Sequence, residues 1–370
     1  MKPHKNIFAQ IVDFENIYRA YRDATAGKRY RTEILKFTDN LEENLYDIRR
    51  ELIAETYATG KYREFYVREP KKRLVMALPF RDRVVQWAIY RVVNPLFSKG
   101  YITDSYACID GRGVHHAVKR LHYWAQQTHG AGYYLKLDIS KYFYRIDHDV
   151  LLHIIRRKFD DPPLMRLFER IIRSRDIPFG LPDGASPGDG AARIFNRGMP
   201  IGNLTSQMFA NLYLNELDQF IKRDLRARHY CRYMDDMAIL ADSKAELHAF
   251  HDRINAFVSE RLKLSLNDKT TIRPLKQGLE FCGFRVWATH TKIRKSSALK
   301  MKHRLKKLMA QYAAGEIDYD GAARILAAYK GVLAHSNSYA LRNAIYGDWR
   351  KDGGAGGGWF YLRRDNQNDG

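Results

Sequence analysis

The sequence predicts an α+β fold built on an antiparallel sheet, and three observations carry that prediction. Residues Tyr133 to Ser140 alternate, with Leu135, Leu137 and Ile139 on one face and Lys136, Asp138 and Ser140 on the other, the period of a half-buried strand. His229 to Leu240 holds two short β-prone runs about Asp235-Asp236. It reads as a hairpin with the acidic pair at its turn, because turns favour Asp and adjoining strands favour Tyr, Met and Ile. Apolar residues recur at helical spacing in Ile7, Ile11, Phe14 and Tyr18, in Leu35, Leu41, Leu45, Ile48 and Leu52, and in Met301, Leu305, Leu308, Met309 and Tyr312.

The hairpin carries the chemistry. Two adjacent carboxylates repel each other unless a cation sits beside them, and Mg²⁺, a hard ion, prefers carboxylate and phosphate oxygens. An Asp-Asp turn alone reads as a solvated loop. Asp138 changes that reading, because it projects from a strand otherwise built for a core. Strand and hairpin side by side would give three carboxylates able to hold two Mg²⁺ ions about 3.5 to 4 Å apart, the arrangement of a phosphoryl-transfer centre.

Composition bounds the partner. The 370 residues hold 63 Lys and Arg against 42 acids, a net charge of +21, which points to a polyanion, with nucleic acid as the default. This length suits two or three subdomains. The three cysteines, Cys108, Cys231 and Cys282, have no metal-ligand spacing and are expected to be small buried residues. No stretch approaches a membrane span and no signal-type core follows Met1, so a cytoplasmic location is expected, with no membrane partner.

Six blocks in one order then resemble a known family. They are Leu78 to Gln86, Lys136 to Phe143, Gly198 to Gln207, Tyr233-Met234-Asp235-Asp236, Leu264 to Thr270, and Phe281 to Phe284. Together they look like a prokaryotic reverse transcriptase of the group II intron-like kind. The resemblance implies a right-hand polymerase fold: an N-terminal helical segment 1–68, fingers 69–132, palm 133–290 with a loop at 175–200, helical thumb 291–350, and a flexible Gly-rich tail 351–370. It leaves no room for an endonuclease, protease or RNase H domain of ordinary size.

Within that resemblance, Asp138 and Asp235 are the metal-binding and catalytic carboxylates, with Ile139 beside them at the metal and the nucleotide, and Asp236, pointing the other way, giving less direct support. Two Mg²⁺ ions are the implied cofactor, with Mn²⁺ as a substitute. Lys269 is placed to protonate or stabilise pyrophosphate, although a strand-end lysine is an equal reading. Arg73, ahead of Lys71 and Lys72, is the basic residue reaching the triphosphate, since planar guanidinium donors match phosphate oxygens. Phe143, five residues past Asp138, packs under the nucleotide sugar and excludes a ribose 2′-hydroxyl.

Arg112, Tyr233 and Met234 are placed near template or primer, and Phe281 and Gly283 in a primer-gripping hairpin. Lys292 to Lys307 carries eight Lys or Arg and no acid, so Lys300 and Arg304 are expected to hold the duplex by its phosphates. The tyrosines and arginines of 18–31 are either a solvated helix face or a grip on template RNA. The turn-rich run 175–200 is expected to be an exposed loop with no readable role.

One motif discriminates within the family. Retroviral and intron enzymes place Gln between the Pro and Gly of the third of these blocks and usually Pro after its Ser. This chain has Ile201 before Gly202, and Gln207 after Ser206. That pattern resembles the reverse transcriptases of diversity-generating retroelements. It implies cDNA copied with errors opposite template adenines from a template-repeat RNA, dNTPs as substrates, and a small basic oligomeric accessory protein as partner. An apolar Ile201 cannot hydrogen-bond to nucleotide or templating base, so polar discrimination should weaken. The alternatives are a retron or group II intron-type enzyme of ordinary fidelity, or a non-catalytic RNA-binding or defence protein that keeps the fold.

Overall fold

A computed structural model describes residues 2–67, 73–173, 178–188 and 190–346, apart from the side chains of 344 and 346. The expected second-choice cations Lys71 and Lys72 and the Gly-rich tail lie outside the described residues. In chain order the elements begin with helices α1 (Ile7–Ile11), α2 (Phe14–Thr25), α3 (Thr32–Asp39) and α4 (Leu41–Ile53), then strands β1 (Arg63–Val67) and β2 (Arg73–Ala77). Helices α5 (Phe80–Ser98) and α6 (Val114–Gln127) lead to β3 (Tyr133–Asp138), followed by α7 (Tyr142–Arg145), α8 (His148–Arg156), α9 (Pro162–Ile172) and α10 (Leu204–Gln219). Strands β4 (His229–Tyr233) and β5 (Asp236–Ala241), helix α11 (Lys244–Leu262) and β6 (Thr271–Pro274) come next. The described chain closes with β7 (Leu279–Phe281), β8 (Phe284–Val286), β9 (Thr291–Ile293), α12 (Lys295–Ala313), α13 (Tyr319–Ala334) and α14 (Tyr339–Tyr346).

The expected hairpin is present as β4 and β5 in a four-stranded sheet of order β4-β5-β3-β6, so the strand of Asp138 lies next to the strand that Asp236 begins. Two compact units divide the chain: residues 1–113, 137–237 and 248–271 form one, and 114–136, 238–247 and 272–370 the other. The three Asp residues singled out in the sequence all fall in the first.

That first unit is built on two helices. In α5, Val84, Val85, Ala88, Ile89, Val93 and Phe97 are fully buried, and α2 packs along it. Helix α10 is buried on more than one face. Leu212, Tyr213, Leu214 and Leu217 are buried together with Asn211, Asn215 and Asp218, so it is enclosed on all sides. Capping fixes the starts of two neighbours: the Asp147 side chain accepts from Val150 N–H at α8, and Asp161 from Leu164 N–H at α9. Asp82 and Arg83 have structural work, Asp82 accepting from Tyr57 Oη at 2.7 Å and Arg83 donating to Glu33.

In the second unit, β7, β8 and β9 form an antiparallel sheet. Its first hairpin turns on Cys282 and Gly283, both left-handed (φ 47° and 84°), the conformation a two-residue hairpin loop demands. Met301, Leu305 and Leu308 of α12 are buried against Ala322 and Leu326 of α13, with Met309 and Tyr312 packed on them, as the spacing predicts. The ring of His115 on α6 stacks on His335, with centroids 3.6 Å apart, and meets Phe284 edge-on. Of the cysteines, Cys231 alone is fully buried. Cys108 and Cys282 are half-buried, each in a left-handed turn.

Candidate active site

Asp138 ends β3, and the segment after α11 is laced onto it. Ser140 N–H donates to Ser265 C=O, Ile139 bridges Leu266, and Asn267 N–H donates to Asp138 C=O at 2.8 Å. The Asn267 side chain also donates to Asp138 Oδ2 at 3.1 Å. A carboxylate held by an amide is a common orienting device, and an Asn at a strand end looks too ordinary in sequence to signal it. Lys269 is exposed in the following turn, its N–H bonded to Asn267 Oδ1.

Asp235 sits in the β4–β5 turn, after Met234, whose backbone is left-handed at φ 53°. Burial pushes the Asp235 carboxyl up to about 6. The charge of Asp138 adds to that, as does Asp236 to a lesser extent, while a backbone hydrogen bond and the Arg73 cation pull the other way. The charges of Asp138, Asp236 and Arg73 thus all act on the Asp235 carboxyl. Arg73 opens β2 with its side chain exposed.

Behind the turn lies a buried network that the sequence did not announce. Arg232 and Asp218 have fully buried side chains, with Arg232 Nη2 2.6 Å from Asp218 Oδ2 and Nε 2.8 Å from Oδ1. Tyr230 Oη donates to the same carboxylate, and Arg232 Nη1 donates to Asn211 Oδ1 and to the Met234 carbonyl at 3.2 Å. The backbone of Arg232 is paired on both sides with loop 104–106. A single guanidinium thus ties α10 to the turn that presents Asp235.

The residues expected from sequence at the nucleotide are also close to one another. Phe143 and Ile201, both half-buried, pack on one cluster with Leu74 and Met76 of β2. Met76 N–H donates to Ile201 C=O at 2.9 Å, and Gly202 (φ 116°) runs so near β2 that an added Cβ would lie 3.1 Å from Val75 Cγ1. Gln207 is half-buried, its Oε1 accepting from Cys108 Sγ at 3.5 Å. Tyr233 and Met234 are half-buried beside the acidic pair.

Two nucleic-acid assignments meet structural competition. One guanidinium nitrogen of Arg112 is occupied by the carbonyls of Ile102, Thr103 and Ser105. Phe281 is 1% exposed and packs inward, while Cys282 and Gly283 at the turn of that hairpin are half-buried. Lys300 and Arg304 are exposed on α12, off its buried stripe.

Divalent metal fits this donor set in a particular way. Among the described residues, no three His, Cys, Asp or Glu side chains converge into a group able to hold a metal by themselves. Among the described residues the three-carboxylate cage expected from sequence is therefore not preformed. The all-oxygen chemistry, and the burial that lifts Asp235 with the charge of Asp138 adding to it, still suit Mg²⁺, which is typically held by one or two carboxylates, with substrate phosphates and water supplying the rest.

Comparison with known proteins shows the family. Residues 67–286 match the family described as "Reverse transcriptase (RNA-dependent DNA polymerase)". Protein YkfC of Escherichia coli (strain K12) is 28% identical over 284 residues, covering 66% of this chain and 72% of that protein. Group II intron-encoded protein LtrA of Lactococcus lactis subsp. cremoris is 22% identical over 359 residues, covering 78% of this chain and 57% of its own length. The putative COX1/OXI3 intron 2 protein of Saccharomyces cerevisiae is 22% identical over 304 residues, and the match covers 34% of it.

Proposed function

We propose, for a chain that belongs to the reverse transcriptase family and is an RNA-dependent DNA polymerase, that it is the error-prone enzyme of a diversity-generating retroelement. The observation that carries this reading is Ile201. Beside Phe143 and β2, at a half-buried position where intron and retroviral enzymes have an amide, this chain offers a branched hydrocarbon. A side chain without donors or acceptors leaves base selection to shape and to Watson–Crick pairing alone, which weakens it. The preference for adenine comes from the resemblance and not from Ile201.

Asp138 and Asp235, with the Ile139 carbonyl, are the proposed holders of divalent cation, and Asp236 supports them from the next strand. Bound Mg²⁺ supplies acidification of the primer 3′-hydroxyl and neutralisation of charge on the triphosphate. Asn267 keeps Asp138 turned to its task. Arg73 draws the triphosphate toward Asp235, Phe143 leaves no room or hydrogen bond for a ribose 2′-hydroxyl, and Lys269 stands where a proton or a charge can meet pyrophosphate. The exposed cations of α12, Lys300 and Arg304 among them, hold template and primer by their phosphates. These roles correspond to fingers, palm and thumb.

The proposed partners are a template-repeat RNA, dNTPs and a small basic oligomeric accessory protein. A second reading, an intron-type enzyme of ordinary fidelity, is favoured by the likeness to LtrA. Ile201→Gln separates the two. On the first reading this substitution lowers misincorporation opposite template adenine while leaving extension intact. An unchanged error spectrum in Ile201→Gln would remove Ile201 as the cause.

A further inference from the structure

The segment between α9 and α10 was expected to be an exposed loop, because it is dense in turn formers; its described residues are largely exposed across 183–196, but both ends, Phe179 to Leu181 and Gly198 to Pro200, are buried. Phe179 and Leu181 are 3% and 4% exposed. The Phe179 ring stacks flat on Tyr144, with centroids 4.8 Å apart and planes 9° apart. With Leu74 and Met76 of β2 they form one cluster, and Phe143 and Ile201 are packed against it.

Backbone bonds join the same partners. Leu181 N–H donates to Tyr144 C=O, Met199 N–H to Phe143 C=O at 2.7 Å, and Gly198 N–H to Ile146 C=O at 2.8 Å. Lys141 Nζ donates to Ala185 C=O at 2.6 Å. The two limbs of the segment meet at a bridge between Gly180 and Ile194 and pass very close together. A Cβ on Gly180 would lie 2.4 Å from the Arg197 carbonyl oxygen, and one on Gly198 (φ 86°) would lie 2.9 Å from Gly180. Absence of side chains at that crossing lets Phe179 and Leu181 reach under Tyr144.

We propose that Phe179 and Leu181 are positioning residues for nucleotide selection: they form the wall that fixes how closely Phe143 and Ile201 approach the incoming nucleotide. This rests on the reading of Phe143 and Ile201 as nucleotide-facing residues. The ring of Phe143 is only half-buried, so its rotamer is set by what stands behind it. Close packing transmits a cavity behind a side chain directly into that side chain's position. Deleting the Phe179 ring therefore loosens the sugar pocket without touching a reacting group.

The test is single-nucleotide primer extension by the full chain on an RNA template, with kcat and KM measured for a matched dNTP and for its ribonucleotide. The variants are Phe179→Ala, Leu181→Ala, the smaller truncation Phe179→Leu, and Phe143→Ala as reference. Leu167→Ala, a cavity in α9 outside this cluster, serves as the stability control. Phe179→Ala should shift the dNTP-to-rNTP selectivity in the same direction as Phe143→Ala, by roughly tenfold, chiefly through KM. Phe179→Leu should fall between it and the parent, and Leu167→Ala should lose melting temperature with selectivity unchanged.

If Phe143→Ala alters selectivity and neither Phe179→Leu nor Leu181→Ala does, the inference is overturned while the pocket reading stands. If Phe143→Ala leaves selectivity unmoved, the pocket reading falls and the inference with it. An equal shift in Leu167→Ala would reduce the effect to general destabilisation and also overturn it.

Discussion

Arg232 donates both to the buried carboxylate of Asp218 and to the carbonyl of Met234, so the residue preceding Asp235 is held by an ion pair with no solvent access. Removing one partner of such a pair leaves the other charged, desolvated and alone. Asp218→Ala should therefore destabilise the protein by about 3–5 kcal/mol, read from urea unfolding. The double variant Asp218→Leu with Arg232→Met should recover much of that stability, because well-packed apolar residues often replace a buried pair at little cost. Polymerase activity should stay low in the double variant, since the Met234 carbonyl has lost its donor. Full activity in a stable double variant would contradict a positioning role for Arg232.

The carboxylates are predicted to be unequal. Asp138→Asn and Asp235→Asn should each lower primer extension by about a thousandfold or more, the rate equivalent of roughly 4 kcal/mol of lost charge stabilisation. Asp236→Asn, at the supporting position in the proposed division of roles, should cost distinctly less. Steady-state extension rates at saturating Mg²⁺ check this, and equal losses at all three positions would contradict the division of roles.

Asn267 supplies a quieter prediction. Its amide bond to Asp138 Oδ2 is charge-assisted, and its loss in Asn267→Ala should lower kcat roughly tenfold with a smaller change in KM for dNTP. The backbone bond from Asn267 N–H to Asp138 C=O survives that substitution, so the strand itself should keep its place. An unchanged kcat would mean that Asp138 is oriented by other contacts.

For α12 the readout is salt. Lys300→Gln and Arg304→Gln should each weaken template-primer binding alike across sequences and reduce the slope of log affinity against log salt by about 1. A slope that does not change would place those cations away from the phosphates.

Sequence periodicity made the apolar stripe of α12, the alternating strand of Asp138 and the Asp235-Asp236 hairpin legible, because each obeys a simple spacing rule. It misread what depends on long-range packing. Asp218 is a polar residue in a helix, and nothing local says that α10 is enclosed on every side and that Arg232 comes to meet it. Phe179 and Leu181 were hidden among Pro and Gly, whose turn chemistry is real but says nothing about where the turn is pressed. Asn267 and Asp138 are 129 residues apart, a pairing that the topology makes and the sequence does not display.

The most direct measurement is cDNA synthesis by the full chain on a defined RNA template with Mg²⁺ and all four dNTPs. The product is sequenced base by base, with Asp235→Ala as the blank, and the accessory protein and native RNA are supplied in a parallel reaction. The account predicts product in the parent, none in the blank, and substitutions concentrated opposite template adenines. Product of uniform, ordinary fidelity in both reactions would contradict the mutagenic reading and leave an intron-type reverse transcriptase in its place.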